Sequence, residues 1–355
     1  MTHIQQAIIT QVNNNMITVY LKTPQAQYWL DRTGVQCELA NDLDQWTAST
    51  NQRVALIEPL DYDTESQQLI QHCCQHGDLI ILFMTELITD SWCRQFDLPN
   101  VVLFLNGSLN WTPQQARLGK CMYFFWSTCD FYRTFPDLLN FDSTQADKFF
   151  DVLLGRRKSH RDQLYENIDH DLNTVTYFPT HSELPIRDYC NQEFIWPDML
   201  DKSQHEVCFT AQEVTVNGVI VSLSQIIPKT VYQHTHYTVV AETQSDNEWS
   251  FFTEKIVKPI LARRLFLVAA GQYYLENLRE LGFKTFENVI DESYDREPDQ
   301  TVRISMLIEQ VRYLQTQDPV QIKAQIQSIL DHNFNHMMQQ DWQKDVIIQL
   351  AQVLE

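Results

Sequence analysis

The stretch Tyr237–Ile290, YTVVAETQSDNEWSFFTEKIVKPILARRLFLVAAGQYYLENLRELGFKTFENVI, decides the fold of the second half of the chain. An apolar strand (YTVVAE) ends on the carboxylate of Glu242, a polar loop follows, and Thr253-Glu254-Lys255 opens a helix. A second apolar strand (LFLVAA) then runs to Gly271, before another helix. Such alternation is typical of a parallel α/β sheet, where ligands bind beyond the carboxyl ends of the strands and helix N-termini receive phosphate. The pattern therefore predicts an anion-binding crevice, to which Lys255 adds a full charge.

A basic cluster follows an earlier strand, Lys148–Gly155, at the start of the next helix. In a chain that is otherwise strongly acidic, this turn carries Arg156, Arg157, Lys158, His160 and Arg161. Arginine forks make charge-assisted, often bidentate bonds to phosphate oxygens. A solvated basic helix start is the alternative, but it opposes the helix dipole unless an anion is present. We therefore predict that the turn binds a diphosphate, with Arg157 and Arg161 as the main donors.

These two segments together resemble the donor-binding half of the α-1,3-fucosyltransferase family and related two-domain glycosyltransferases. In that family a strand ending in a glutamate is followed by a loop, a Thr-Glu-Lys helix start and a hydrophobic strand. The positions that match are Glu242, Thr253, Glu254 and Lys255, and Lys258-Pro259 stands where the family usually has Asn-Ala. The piece FDVLLGRRKSHRDQLYENI, residues 150–168, is similar in kind to the arginine-bearing turn that opens the family's donor domain.

The resemblance implies a fold and roles for the matching residues. The fold is α/β, with two Rossmann-like lobes whose parallel sheets face a central cleft (GT-B-like) and with long C-terminal helices. Glu254 would bond ribose hydroxyls and Lys255 would approach the donor phosphate, while Glu242 would do either job or only hold the loop. The donor-binding set is then Gly155, Arg156, Arg157, Arg161, Glu242, Thr253, Glu254 and Lys255.

The domain organisation follows from length and patterning. At 355 residues the chain is long enough for two domains. The turn-rich Asn140–Asp147 separates the first half from the restart at Lys148, so we expect an N-terminal acceptor lobe over 1–145 and a donor lobe over 146–355. Terminal helices predicted over 301–315 and 320–354 would pack back on the first lobe. In the first half, buried strands are predicted at Arg53–Pro59, Asp78–Met84, Asn100–Asn106 and Lys120–Trp126, and helices at Ser66–His76 and Thr85–Gln95.

A base that removes the proton of an acceptor hydroxyl is expected on the N-terminal lobe. Glu58 ends the first clear strand there, Asp61 and Asp63 follow it, and Glu86 follows the next strand. Each of these acids could face the cleft, and each could equally be an ordinary solvated loop acid. Glu58 is the first choice for the base, ahead of Asp61 and Glu86.

Metal is not expected to take part in the reaction. Asp61-Tyr62-Asp63 mimics the Asp-x-Asp motif with which other glycosyltransferases hold a divalent ion, but the basic clusters can neutralise a diphosphate without metal. The histidine pairs His72/His76 and His332/His336 lack a full zinc ligand set. The sequence therefore predicts no metal and no cofactor other than the nucleotide-diphosphate sugar that serves as donor substrate.

Composition indicates in which cell compartment the protein works and which classes of partner are disfavoured. The formal charge of −20 disfavours a broad nucleic-acid surface. No apolar run reaches the ~18 residues of a membrane span, the N-terminus lacks a signal-peptide pattern, and cysteines within apolar segments are typical of reduced, buried thiols. A cytoplasmic protein is expected.

The leading hypothesis is a glycosyltransferase that is inverting, by resemblance, and metal-independent. It would move a sugar from a nucleotide-diphosphate donor to a hydroxyl of a glycan, a protein or another acceptor. One alternative is a nonenzymatic nucleotide-binding or interaction protein of viral or bacterial type. Another is a transferase that glycosylates modified bases in DNA, which the net charge disfavours.

Overall fold

The computed structural model describes residues 16–21, 24–57, 64–84, 94–140, 146–177, 205–209 and 213–355. Its tertiary contacts divide the chain into two compact units. Unit 1 comprises Met1–Asn106, Thr112–Cys121 and Gln343–Glu355, and unit 2 comprises Gly107–Trp111 and Met122–Trp342. Each unit contains a parallel sheet with helices, which confirms the predicted α/β class. The domain boundary at residue 145 stays a prediction.

The sheet of unit 1 has six strands in the order β2-β1-β3-β4-β5-β7, and every neighbouring pair is parallel. Strand β5, which has a parallel neighbour on each side, is buried along its whole length, as parallel strands covered on both faces are. The strands predicted at Asp78–Met84 and Asn100–Asn106 are confirmed, and so is the one predicted at Arg53–Pro59 as far as Ile57, where the described residues stop. The bounds are β1 Ile17–Leu21, β2 Cys37–Ala40, β3 Gln52–Ile57, β4 Leu79–Met84, β5 Val101–Leu105 and β7 Arg117–Lys120.

Three helices of unit 1 connect the first four of these strands: α1 Pro24–Thr33, α2 Leu43–Ala48 and α3 Thr64–His76. A further helix, α11 Trp342–Leu354, follows all the strands of the chain. The helix predicted at Ser66–His76 is confirmed by α3. The helix predicted at Thr85–Gln95 lies almost wholly outside the described residues.

The strand predicted at Lys120–Trp126 is wrong. Strand β7 already ends at Lys120, and helix α4 spans Tyr123–Thr134. The aromatic run at its start looks like a buried strand, but the buried positions Phe124, Thr128 and Phe131 recur at the spacing of a helix. That period becomes visible only when the polar residues after Trp126 are included.

The sheet of unit 2 has four parallel strands in the order β15-β13-β8-β9. They are β8 Lys148–Leu154, β9 Thr174–Tyr177, β13 Thr235–Ala241 and β15 Phe266–Ala269. Helix α5, Ser159–Asn167, connects β8 to β9, and α7, Glu254–Leu261, connects β13 to β15. The apolar strands predicted in YTVVAE and LFLVAA are thus confirmed. Their side chains form the core of unit 2 together with those of β8: Val152, Val239 and Leu267, one from each strand, are fully buried or nearly so.

Antiparallel pieces complete unit 2. Strands β10 Val207–Phe209, β11 Glu213–Val216 and β12 Val219–Ser222 form one sheet, in a region whose mixed sequence signals support no firm prediction. The turn between the last two is Asn217-Gly218, where both residues have positive φ (47° and 83°), as a two-residue hairpin requires. Strand β6 Gly107–Leu109 pairs with β14 Trp249–Phe251.

The remaining helices of unit 2 are α6 Lys229–His234, α8 Tyr274–Glu280, α9 Gln300–Gln315 and α10 Pro319–Gln339. The predicted helix over 320–354 is therefore two helices, α10 and α11. Asp341 stands directly before α11, a position that aspartate favours. Within the described part of the chain, none of the helices combines the length and apolarity needed to cross a membrane.

Candidate functional site

The strand order of unit 2 creates a switch point between β8 and β13. From β8 the chain crosses to β9 on one side, whereas β13 and β15 lie on the other side. In doubly wound sheets, ligand crevices form outside the carboxyl ends of the strands at such a point. The turn of residues 155–158 follows β8, and Glu242-Thr243 follows β13. The two segments singled out in the sequence therefore meet where the topology favours a ligand.

Glu242 lies fully buried at the end of β13 and accepts hydrogen bonds from its surroundings. Its Oε2 accepts from Thr253 Oγ1 (2.6 Å) and its Oε1 accepts from Tyr274 Oη (2.8 Å). The backbone N–H groups of Thr253 and Thr243 also donate to it, each over 3.2 Å. Burial raises the pKa of this carboxyl, against the opposing charge of Lys255 and these hydrogen bonds. Glu242 thus ties the loop after β13 to the start of α7.

The predicted helix start at Thr253 is confirmed. Thr253 is the N-cap of α7, and its Oγ1 accepts from the Lys255 N–H over 3.2 Å. Glu254 is buried, which raises its pKa, but the charges of Lys255 and Lys258 outweigh burial and leave that pKa below its ordinary value. Lys255 Nζ lies 3.0 Å from Glu254 Oε1 and 3.1 Å from Thr243 Oγ1.

Lys158 approaches the same threonine from the turn after β8. Its ammonium donates to the carbonyl oxygen of Thr243, whose hydroxyl contacts Lys255. Burial lowers the pKa of Lys158, and the charges of Arg161, Lys255 and Arg156 lower it further, while Asp246 acts in the opposite direction. Cationic groups are therefore crowded around Thr243.

Arg161 and His160, next to this cluster, form hydrogen bonds with backbone carbonyl groups. Arg161 is buried, with Nη1 donating to the carbonyl of Arg156 (2.8 Å) and Nη2 to that of Glu242 (3.0 Å). The Nε2 atom of His160 lies 3.1 Å from the carbonyl oxygen of Glu242. Its Nδ1 is buried without a hydrogen-bond partner among the described residues. Burial and the charge of Arg161 lower the pKa of His160 to about 3.

The other predicted residues of this turn face outward. The side chain of Arg157 is 73% exposed and pairs with Asp162 over 3.0 Å, so it does not join the group around Thr243. Arg156 is also exposed. Gly155 is half-buried, and a Cβ atom added there would lie 3.7 Å from Arg161 Nη1, an ordinary contact.

Other residues of the protein fill the space around the turn at Gly271 and bind the amides of the helix that follows it. A Cβ atom at Gly271 would lie only 1.9 Å from the carbonyl oxygen of Asp246, so the loop after β13 packs directly on this glycine. At the start of α8, the carboxylate of Asp295 accepts from the N–H groups of Leu275 (2.8 Å) and Glu276 (3.1 Å). These amides could otherwise bind an anionic ligand, but the Asp295 carboxylate already occupies them.

The predicted catalytic acids Glu58, Asp61 and Glu86 lie outside the described residues, as does Asp63. The described parts of strands β3 and β4 end at Ile57 and Met84, one residue before Glu58 and two residues before Glu86 in the sequence. Their role as base stays a prediction.

The histidine pair of α10 serves a structural purpose. His332 Nε2 lies 2.9 Å from the carbonyl oxygen of Gly282, and His336 Nε2 lies 2.7 Å from that of Leu281. Both side chains thus contact the carbonyl groups that follow α8. Across the described ranges, no three His, Cys, Asp or Glu side chains are grouped as a metal site would need.

Two residues of the site do not stand out in the sequence. Lys158 is one member of a basic run, and Thr243 carries no motif of its own. The available signal is position: Lys158 is the last extended residue before α5, and Thr243 is the first after Glu242. Which member of a basic run points inward depends on the turn geometry.

Comparison of the chain with models of protein families, with curated proteins and with solved structures found no match to any of them. Function is therefore inferred from the residues and contacts given above.

Proposed function

We infer that unit 2 holds the diphosphate of a nucleotide-diphosphate sugar at the carboxyl ends of β8 and β13, and that the chain is a glycosyltransferase. The observation that carries this proposal is the pair of ammonium groups, Lys158 and Lys255, that contact Thr243 at the switch point of a parallel sheet. Phosphate groups bind at this place in doubly wound sheets. The resemblance of residues 242–255 to α-1,3-fucosyltransferases supports the same assignment.

The charges around Thr243 favour an anion over a neutral ligand. The pKa of Lys158 is lowered by burial and then by neighbouring cations, of which Arg161 is the strongest. These positive groups repel one another in a partly dry environment, where electrostatic interactions are strong. A diphosphate brings several negative charges and would relieve that repulsion while accepting charge-assisted hydrogen bonds.

The residues divide into ligand contacts and supports. Lys158 and Lys255 are the proposed donors to the diphosphate, with Arg156 as an exposed counter-charge. Glu254, by resemblance, accepts from ribose hydroxyls. Glu242 and Arg161 keep the backbone of the site in place, since both carboxylate oxygens of Glu242 and both Nη atoms of Arg161 already have protein partners.

In the proposed reaction, the acceptor hydroxyl oxygen attacks the anomeric carbon of the donor sugar as the bond from that carbon to the diphosphate breaks. The proton of the hydroxyl passes to a carboxylate, for which Glu58, Asp61 and Glu86 are the candidates. Lys158 and Lys255 stabilise the charge that develops on the leaving diphosphate. A single displacement of this kind inverts the anomeric carbon, and two ammonium groups can take the place of a metal ion.

Thermal unfolding of the full chain with a panel of nucleotide diphosphates and their sugars tests the proposal. A ligand at one hundred times its dissociation constant stabilises the folded state by about 2.7 kcal/mol, which is readily detected. A ligand that shifts the melting temperature is then offered with acceptor sugars, and transfer is followed with and without EDTA. Silence across the whole panel would reject the donor site, and loss of transfer in EDTA would reject metal independence.

A nonenzymatic nucleotide-binding protein is the second candidate. It is favoured by the observation that Glu242 accepts hydrogen bonds from protein groups at both carboxylate oxygens, which is typical of a structural acid. Tight binding of a nucleotide diphosphate with neither transfer nor hydrolysis would support it. A transferase acting on DNA bases would instead show salt-dependent binding to duplex DNA, which a net charge of −20 disfavours.

A further inference from the structure

The loop between β13 and β14 is held by hydrogen bonds on both sides of Asp246. Before it, Arg303 Nη2 donates to the carbonyl oxygen of Ser245 over 3.2 Å. After it, Asn110 Nδ2 donates to the carbonyl oxygen of Asn247 over 2.7 Å. The Asp246 carbonyl itself lies against the glycine that ends the next strand of the sheet. The backbone that carries the Asp246 side chain is therefore fixed.

The carboxylate of Asp246, in contrast, is not used by the protein. The residue is exposed, and among the described residues its side chain takes part in no hydrogen bond or ion pair. An ionised carboxylate only accepts hydrogen bonds, and it can accept several at its two oxygens. Binding residues are often found on loops that a rigid scaffold positions. A fixed loop with an unpaired acceptor at its surface fits that description.

Asp246 also belongs to the surroundings of the proposed diphosphate. Its charge raises the pKa of Lys158, against burial and the neighbouring cations, so the carboxylate and this ammonium are close enough to interact. It follows Thr243 by three residues, and Thr243 contacts both Lys158 and Lys255. A negative charge at this place repels phosphate. The repulsion is offset if another part of the same ligand donates hydrogen bonds to the carboxylate.

Glu254, to which the resemblance gives the ribose hydroxyls, is less open to a ligand. Its side chain is 8% exposed, and its Oε1 already lies 3.0 Å from Lys255 Nζ. Asp246 offers two unused oxygens. The vicinal hydroxyls of a ribose are a matching pair of donors, joined to the diphosphate through a single methylene group. In dinucleotide-binding sheets an acidic side chain likewise accepts from a ribose hydroxyl.

We propose that Asp246 accepts hydrogen bonds from the vicinal hydroxyls of the nucleoside ribose, and that the donor is a ribonucleoside diphosphate sugar, not a deoxythymidine diphosphate sugar. This assignment rests on the proposed function. Lys158 and Lys255 bind the diphosphate, and Asp246 selects the ribonucleotide whichever base it carries.

Calorimetry of the full chain with GDP, UDP, their 2′-deoxy analogues and inorganic pyrophosphate tests the assignment. The wild type should bind each ribonucleotide about tenfold more tightly than its deoxy analogue, the effect of one charge-assisted hydrogen bond. Asp246→Ala should bind the two equally, because the acceptor is gone, and should not lose affinity for pyrophosphate. Since Asp246 is exposed, this variant should fold normally. Glu287→Gln removes another exposed carboxylate of unit 2 and should keep the tenfold preference.

Three results would overturn the assignment while leaving the diphosphate site in place. The first is equal binding of ribonucleotide and deoxy analogue by the wild type. The second is a preference that persists in Asp246→Ala; its loss in Glu254→Gln would return the ribose to Glu254. The third is an Asp246→Ala variant that weakens only complete nucleotide sugars, which would place the donor sugar at Asp246. In each case the diphosphates would still bind and Lys255→Met would still weaken them, whereas failure of every nucleoside diphosphate to bind would reject the donor site and the assignment together.

Discussion

Arg161 Nη2 lies 3.0 Å from the carbonyl oxygen of Glu242, while Nη1 of the same side chain lies 2.8 Å from the carbonyl oxygen of Arg156. One buried guanidinium thus joins the end of β13 to the turn after β8, at the switch point of the sheet. The basic run in the sequence predicts that this arginine binds phosphate directly. Its hydrogen bonds go instead to backbone carbonyl groups, so Arg161 supports the segments that carry Lys158 and Thr243.

Arg161→Ala should therefore lower the free energy of unfolding by about 3 kcal/mol, because it leaves buried carbonyl groups without donors. Arg157→Ala, at an exposed position of the same turn, should leave stability unchanged within error. Urea unfolding of both variants makes the comparison. Equal stability of the two would contradict the role given to Arg161.

Lys158→Met and Lys255→Met should each weaken binding of a nucleotide diphosphate by about 1.5–3 kcal/mol, roughly 10- to 150-fold, since each removes a charge-assisted hydrogen bond. Calorimetry with GDP and with UDP measures the change, and Lys284→Met is the matched lysine control. Without ligand, both variants should stay folded, because neither ammonium is part of the core. Unchanged affinity in both would move the diphosphate away from Thr243.

His160 should make the protein less stable in mild acid. Its pKa is about 3 in the folded state, below the ordinary 6.5, so between these values the unfolded chain binds a proton that the folded chain does not. Its contribution to stability is complete above pH 6.5 and is lost progressively as the pH falls toward 3; at pH 5 the loss is about 2 kcal/mol. His160→Gln should reduce the difference in unfolding free energy between pH 7.5 and pH 5 by about this amount. His170→Gln, at an exposed histidine, should keep the wild-type difference, and the same difference in both variants would refute the prediction.

Gly271→Ala should be far more harmful than Gly155→Ala. At Gly271 the added methyl group meets the Asp246 carbonyl oxygen at 1.9 Å, and a backbone atom cannot move aside without shifting the loop. A loss of about 1–3 kcal/mol is expected, as for overpacked cores, together with weaker diphosphate binding. At Gly155 the nearest atom is 3.7 Å away, so alanine should be tolerated. Urea unfolding and calorimetry of the two variants give both comparisons, and a well-tolerated Gly271→Ala would show that the loop is not held there.

Short apolar runs with turn residues on both sides were enough to predict most of the parallel strands. The failure at Lys120–Trp126 has a local cause, because four successive residues (Tyr123–Trp126) are aromatic and fit a strand as well as a helix. The order of the strands is a different matter. It depends on which strands pair over long separations, and no local pattern encodes that β13 lies beside β8.

The site was predictable to the level of segments and not of side chains. Thr253 is recognisable as a helix cap from its residue type and position, and the structure agrees. Arg157 and Lys158 are adjacent in the sequence, yet one faces solvent and the other contacts Thr243. Only the extended backbone before α5, which turns successive side chains to opposite sides, distinguishes them.

The discontinuous composition of the two units bears on the order in which the protein can fold during synthesis. Unit 1 includes Gln343–Glu355, and unit 2 includes Gly107–Trp111. A ribosome that has finished the unit 1 sheet has therefore not yet made a helix that belongs with it, and the partner strand of β6 emerges some 140 residues after β6 itself. Neither unit can be obtained whole by cutting the chain at one place, and unit 1, although its sheet is made first, is completed only after unit 2 has reached its last residue, Trp342.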